Sequence, residues 1–170
     1  LAAGRRHALK PVGEAARNMV RLEQGVLLEG YDYASAFASC EALSPATPYD
    51  LGQGTHVALD RPTFNGQAAL RKLVASGSGR VPAAFTLMGQ EGDRPGAVYA
   101  NGHHVGRVTS YTWSPSLQMH VAIGLMDIQG LGTSGVYTLD VMTGNGQAQK
   151  RVAQFVKRPF LHNSAAFPAD

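Results

Sequence analysis

GAVYANGHHVGRVTSYTW, residues 96–113, sets two runs of β-forming residues on either side of Asn101-Gly102. Asn-Gly tolerates positive φ at both central positions of a two-residue turn, so the runs are expected to fold back on each other as a hairpin. Moving outward, VPAAFTLMG (81–89), HVAIGLMDI (120–128), GVYTLDVM (135–142) and QKRVAQFVK (149–157) are similarly short and carry β-branched residues. Six short strands with glycine-rich turns predict a small antiparallel barrel or sandwich from Val81 onward.

Upstream of Val81 the pattern changes. Pro11 suits the first turn of a helix and Gly25 its end, which predicts a helix over about 11–24. Val12, Ala16, Met19, Val20 and Glu23 recur at spacings of three and four and are expected to face inward. Glu14, Arg17, Asn18 and Arg21 are expected on the opposite, solvated side. Glu23 therefore stands out as a carboxylate on an apolar stripe. A helix-end carboxylate can reach solvent, but a buried one needs paired donors. The stretch from Val26 to Gly54 shows no period and reads as a long loop. THVALDRPTFNGQAALRKLVAS (55–76) reads as a short strand, a turn at Pro62 and a short helix from about Gly66, and GSGR (77–80) as a linker.

The composition is that of an ordinary globular chain of 170 residues. The 15 Lys and Arg give a net charge of +3 but form no run, which disfavours a nucleic-acid partner and suits a small anionic ligand. No apolar run approaches the roughly 20 residues of a membrane span. Cys40 is the single cysteine, so no internal disulfide is possible and a reducing, cytoplasmic setting is expected. The opening LAAGRRHALK has neither an initiating Met nor a signal-peptide core, and the chain is expected to be the later portion of a longer protein.

Most familiar chemistries find no support. His103 and His104 are adjacent on a strand and point to opposite faces, and His7, His56, His120 and His162 lack ligand spacing, so no metal site is expected. Ser110 and Ser164 have no nucleophile-elbow context, and neither a phosphate loop nor a dinucleotide fingerprint is present. No charged neighbour activates Cys40 as a thiolate. What remains is Glu23 with Tyr49, Asp50 and Arg61. A carboxylate accepts parallel N–H bonds from a planar heterocycle, and an arginine pairs with an anionic tail.

Four blocks in order, GEAARNMVRLEQGVLLEGYDY (13–33), TPYDLGQGTHVALDRPTFNGQAAL (47–70), GHHVGRVTSYTWSPSLQMHVAIGLMDI (102–128) and VKRPF (156–160), resemble the second half of the glycine-cleavage T-protein (aminomethyltransferase) superfamily. That superfamily includes folate-dependent aminomethyltransferases, demethylases and the folate domains of amine dehydrogenases. The resemblance implies an α+β fold, with part of a folate-binding domain at 1–76 followed by a six-stranded antiparallel β-barrel domain at 80–162. It implies tetrahydrofolate as cofactor, with Glu23 bonding the pterin and Arg61 falling on a basic position that contacts folate in some members. Tyr49 is carried as a possible proton donor, with packing as its plainer role. The expected partners are a small methyl or aminomethyl donor and the N-terminal half of the same protein, which in the aminomethyltransferases carries the catalytic Asp.

Departures from the family pattern lie at Thr55, where the family has Trp, at His56, and in the longer segment between Glu23 and Thr47. They place the substrate in question. The alternatives that stay open are an O-demethylase of methoxylated aromatics, the folate module of a flavin-dependent amine dehydrogenase, and a module without turnover.

Overall fold

The computed structural model describes residues 2–35, 45–89, 93–132, 136–158 and 160. Cys40, His162 and Ser164 lie outside the described residues. Six strands, β1 (Arg80–Leu87), β2 (Arg94–Ala100), β3 (His103–Ser114), β4 (Met119–Asp127), β5 (Tyr137–Met142) and β6 (Ala148–Val156), close into a barrel in the order β1-β4-β3-β2-β5-β6. Every pairing is antiparallel. The barrel therefore decides between the two architectures the strand pattern left open, and it removes the free edges that a sandwich would have to protect. Asn101 (φ 49°) and Gly102 (φ 84°) form the expected tight turn between β2 and β3.

Alternation fills the barrel interior. Phe85, Leu87, Val98, Val105, Val108, Met126, Tyr137, Leu139 and Val141 form one apolar cluster. Strand β4 departs from simple alternation: residues 120–124 are all buried. One face of β4 lines the barrel, while Val121 and Ile123 on the other join Ala84 and Leu22 in a second cluster beneath a helix.

That helix, α1, spans Glu14–Glu23. It begins a turn later than the sequence suggests, because Gly13 is extended and offers no side-chain cap, leaving Pro11 outside. It ends where expected. Gly25 adopts φ 69°, its amide bonds Leu22 O at 2.7 Å, and Val26 N bonds Arg21 O at 2.9 Å, the paired closure of a helix ending in a left-handed residue.

The inward stripe is corrected by the packing. Val12 and Val20 are exposed (71% and 53%), whereas Leu22 and Glu23 are buried. α1 meets the barrel through β3 and β4, and its buried residues, Leu22 and Glu23, both lie in its last turn, so that local contact rather than the average helical face chooses what is covered. Arg21, expected on the solvated side, lies between α1 and the barrel with its side chain 11% exposed.

The second helix, α2 (Gln67–Ser76), starts after Gly66 as expected. Gln67 ties it to the preceding turn by donating Nε2–H bonds to Leu59 O (3.0 Å) and Arg61 O (3.1 Å). The short strand expected at 55–60 is absent. Gly54–His56 is a 3-10 turn closed by His56 N to Gln53 O and Val57 N to Gly54 O, both 3.0 Å, so these amides are satisfied locally and do not join a sheet. GSGR is more than a spacer, since Ser78 Oγ donates to Asp50 at 2.6 Å and also lies 2.8 Å from Arg80 O.

Candidate functional site

Glu23 is the last residue of α1 and retains 6% of its surface. Ser114 Oγ, at the end of β3 and itself fully buried, donates to Glu23 Oε1 at 2.6 Å. Leu117 N donates in turn to Ser114 Oγ at 3.2 Å. The backbone of Glu23 is held as well, its carbonyl accepting Phe160 N at 2.9 Å. Among the described residues Ser114 is the sole donor to this carboxylate, and Oε2 takes no hydrogen bond. An ionised carboxylate offers about four acceptor positions, so most of its capacity is unfilled by protein.

A second polar network fixes the same helix end. Asp32 is buried; its Oδ2 accepts Arg21 Nη1 (2.7 Å) and Leu28 N (2.8 Å), and its Oδ1 accepts Thr109 Oγ1 (2.6 Å). Arg21 also donates to Asn18 Oδ1 (2.8 Å), Val26 O (3.0 Å) and Ser110 Oγ (2.8 Å). Arg158 closes the far side by donating to Gly25 O at 2.9 Å. Burial pulls its guanidinium below its ordinary pKa, and the negative charge of Asp32 works against that shift. Helix end, following loop and β3 are thus one hydrogen-bonded unit.

The other residues singled out from sequence are placed differently. Tyr49 is half-buried with its ring against Gly54, where an added Cβ would lie 2.6 Å from Tyr49 Cδ1. Arg61 is exposed, and only its backbone takes part in the bonds that start α2. No hydrogen bond or ion pair among the described residues joins Glu23, Tyr49 and Arg61. Asp50 accepts Thr47 N and Thr47 Oγ1 at 2.8 Å and Ser78 Oγ at 2.6 Å, with Arg80 at 3.7 Å. Burial acts to raise its carboxyl, but the bonds from Ser78 and Thr47 and the charge of Arg80 prevail and hold it below the ordinary carboxylate range.

A cleft of about 460 Å³ lies beside α1, where Ala15, Ala16 and Met19 face Tyr111 and Trp113 of β3 and His120 of β4. The volume is in the range of small-molecule sites. Glu23, Tyr49 and Arg61 do not line it. Among the described residues no cluster of three metal-ligating side chains occurs, and no helix is long and apolar enough to cross a membrane.

Sequence reasoning missed Ser114, Asp32, Thr109 and Ser110. For Ser114, Thr109 and Ser110 the signal lay in TSYTWS (109–114), where hydroxyls interrupt aromatic residues of a strand, but nothing local says which partner each hydroxyl meets; Asp32, in the loop after α1, carried no local signal.

Residues 80–161 match the family described as the Glycine cleavage T-protein C-terminal barrel domain. Over 155 residues the chain is 33% identical to an aminomethyltransferase of Synechococcus sp. (strain WH7803), covering 90% of this chain and 38% of the relative. An aminomethyltransferase of Moorella thermoacetica is 30% identical over 161 residues, 94% of this chain and 41% of the relative. The chain therefore spans about two fifths of the length of these relatives. Among solved structures, the glycine cleavage system aminomethyltransferase T from Bartonella henselae superposes with a TM-score of 0.71 at 22% identity, covering 94% of this chain and 44% of that one, which shows a shared fold.

Proposed function

The chain carries a glycine cleavage T-protein C-terminal barrel domain and corresponds to the C-terminal portion of that superfamily, and from that premise we propose that it is part of a tetrahydrofolate-dependent one-carbon transferase that moves an aminomethyl or methyl unit. In this reading residues 1–76 are the last part of a folate-binding domain and residues 80–162 its barrel companion. The donor is a small methylated or aminomethylated molecule, and the compartment is the cytoplasm. The remainder of the site, including the acid group, belongs to an N-terminal half of the relatives' kind.

The observation that carries the reading is the Glu23 carboxylate: buried, immobilised through Ser114, and with Oε2 unpaired among the described residues. Oε2 is not among the buried atoms that lack a partner, so it keeps access from outside the protein, where a ligand donating N–H groups can meet it. A pterin offers such a planar edge, so the residue fits the cofactor. Tetrahydrofolate, when bound, supplies the nitrogen that takes up the one-carbon unit. Glu23 accepts N–H bonds from its ring and fixes the ring's orientation, and that positioning is a recognised source of rate. Arg61, whose guanidinium forms no ion pair among the described residues, holds the anionic tail by charge.

The test is calorimetric titration of tetrahydrofolate into the protein expressed in full from its own reading frame, wild type and Glu23→Gln. We expect the variant to bind more weakly by about 1.5–3 kcal/mol, the range for hydrogen bonds to charged groups. Unchanged affinity would overturn the reading. Arg61→Ala is expected to weaken polyglutamylated folates more than folates without the tail, and equal losses would remove Arg61 from the site.

A further inference from the structure

We infer that Ser114 is the positioning residue for the Glu23 carboxylate, so that the barrel, through the turn after β3, sets the acceptor that meets the ligand. The inference rests on the reading of Glu23 as a ligand-binding carboxylate. It is carried by a relay of two bonds across the helix–barrel boundary: Leu117 N donates to Ser114 Oγ at 3.2 Å, and Ser114 Oγ–H donates to Glu23 Oε1 at 2.6 Å.

Each link is constrained. The hydroxyl accepts from a backbone amide, so its proton is directed to the carboxylate. The turn carrying that amide is closed by Gln118 N to Ser114 O at 2.8 Å, with Gln118 at φ 55° and Trp113 and Ser114 paired with His120 and Met119 on β4. Ser114 is fully buried, which leaves its hydroxyl little choice of partner. The short O–H···O contact is that of a charge-assisted bond.

A free glutamate side chain has three rotatable bonds, and freezing it on binding costs conformational entropy. Holding Oε1 from the protein side removes that cost before the ligand arrives and turns Oε2 into a fixed acceptor, which is how preorganisation raises affinity. Phe160 N on Glu23 O, 2.9 Å, does the same for the backbone from the segment after β6. Residues far apart in sequence, 23 and 114, therefore act as one acceptor unit.

The experiment measures tetrahydrofolate affinity in the protein expressed in full for wild type, Ser114→Ala, Ser114→Thr, Ser114→Cys, Glu23→Gln and the Ser114→Ala/Glu23→Gln double variant, with thermal unfolding of each. Expected are a loss of about tenfold for Ser114→Ala, equal to about 1.4 kcal/mol, recovery to within about threefold in whichever of Ser114→Thr and Ser114→Cys keeps the wild-type melting temperature, and no further loss from Ser114→Ala once Glu23 is Gln. Wild-type affinity in Ser114→Ala alongside a weakened Glu23→Gln would overturn this inference and leave the Glu23 reading standing. Additive losses in the double variant would overturn it too, because Ser114 would then act by a route other than Glu23. Wild-type affinity in Glu23→Gln would remove both.

Discussion

Arg21 and Asp32 show how one ion pair is made tolerable inside a protein. The Asp32 side chain is fully covered and that of Arg21 nearly so, and each also meets neutral partners: Thr109 and Leu28 N for the acid, Asn18, Ser110 and Val26 O for the base. Arg21→Met leaves the buried Asp32 carboxylate without its direct ion pair, offset only in part by Thr109, Leu28 N and the charge of Arg158, and is expected to destabilise the protein by about 3 kcal/mol in urea titration. A change below about 1 kcal/mol would mean that the pair is hydrated in solution. Asp50 gives the pH counterpart. Its folded pKa is depressed, so its contribution is present above the unfolded carboxylate value and is lost as the pH falls through the folded one. Asp50→Asn is expected to cost about 1–3 kcal/mol at pH 7, and the gap to wild type should narrow below about pH 4. An equal gap at pH 7 and pH 3 would contradict the assignment of that stability to the ionised carboxyl.

At the scale of elements, α1 is defined at one end by Gly25 and loosely at the other by an uncapped Gly13. Gly25→Ala forces a side chain to φ 69° and brings its Cβ within 2.8 Å of Arg158 Cβ. The left-handed conformation alone costs about 1–2 kcal/mol, so a thermal melt should show a drop of several degrees. A wild-type melt would show that the helix ends differently in solution. The strands, the end of α1 and the start of α2 were legible because each depends on a short local pattern: Asn101-Gly102 for a hairpin, Gly25 for a helix stop, Gly66 for a start; the start of α1, three residues beyond Pro11, was not. The burial of individual α1 residues was not legible from spacing. Periodicity treats a helix as uniformly covered along one face, whereas the buried residues of α1 are confined to its last turn.

At the scale of the whole molecule, one apolar cluster fills the barrel and α1 joins a second through Leu22, while among the described residues α2 packs on no strand, nor on α1, to an extent comparable with α1 on β3 and β4. Hydrogen exchange should therefore find the slowest amides in β1, β3 and β4, near the global unfolding free energy, and fast exchange along α2 in this chain. Uniform protection across both would show α2 to be more firmly held than its contacts imply. The sequence by itself determined the strand count, the hairpin, the helix stop and the ordered blocks that mark the family, because turn chemistry and hydrophobic period act over a few residues. Only the tertiary structure decided that the strands close into a barrel and that Arg21 turns inward. It likewise decided that Tyr49 packs on Gly54 and that Glu23 meets Ser114. Those outcomes depend on which surfaces meet across tens of residues, and no local pattern encodes that distance.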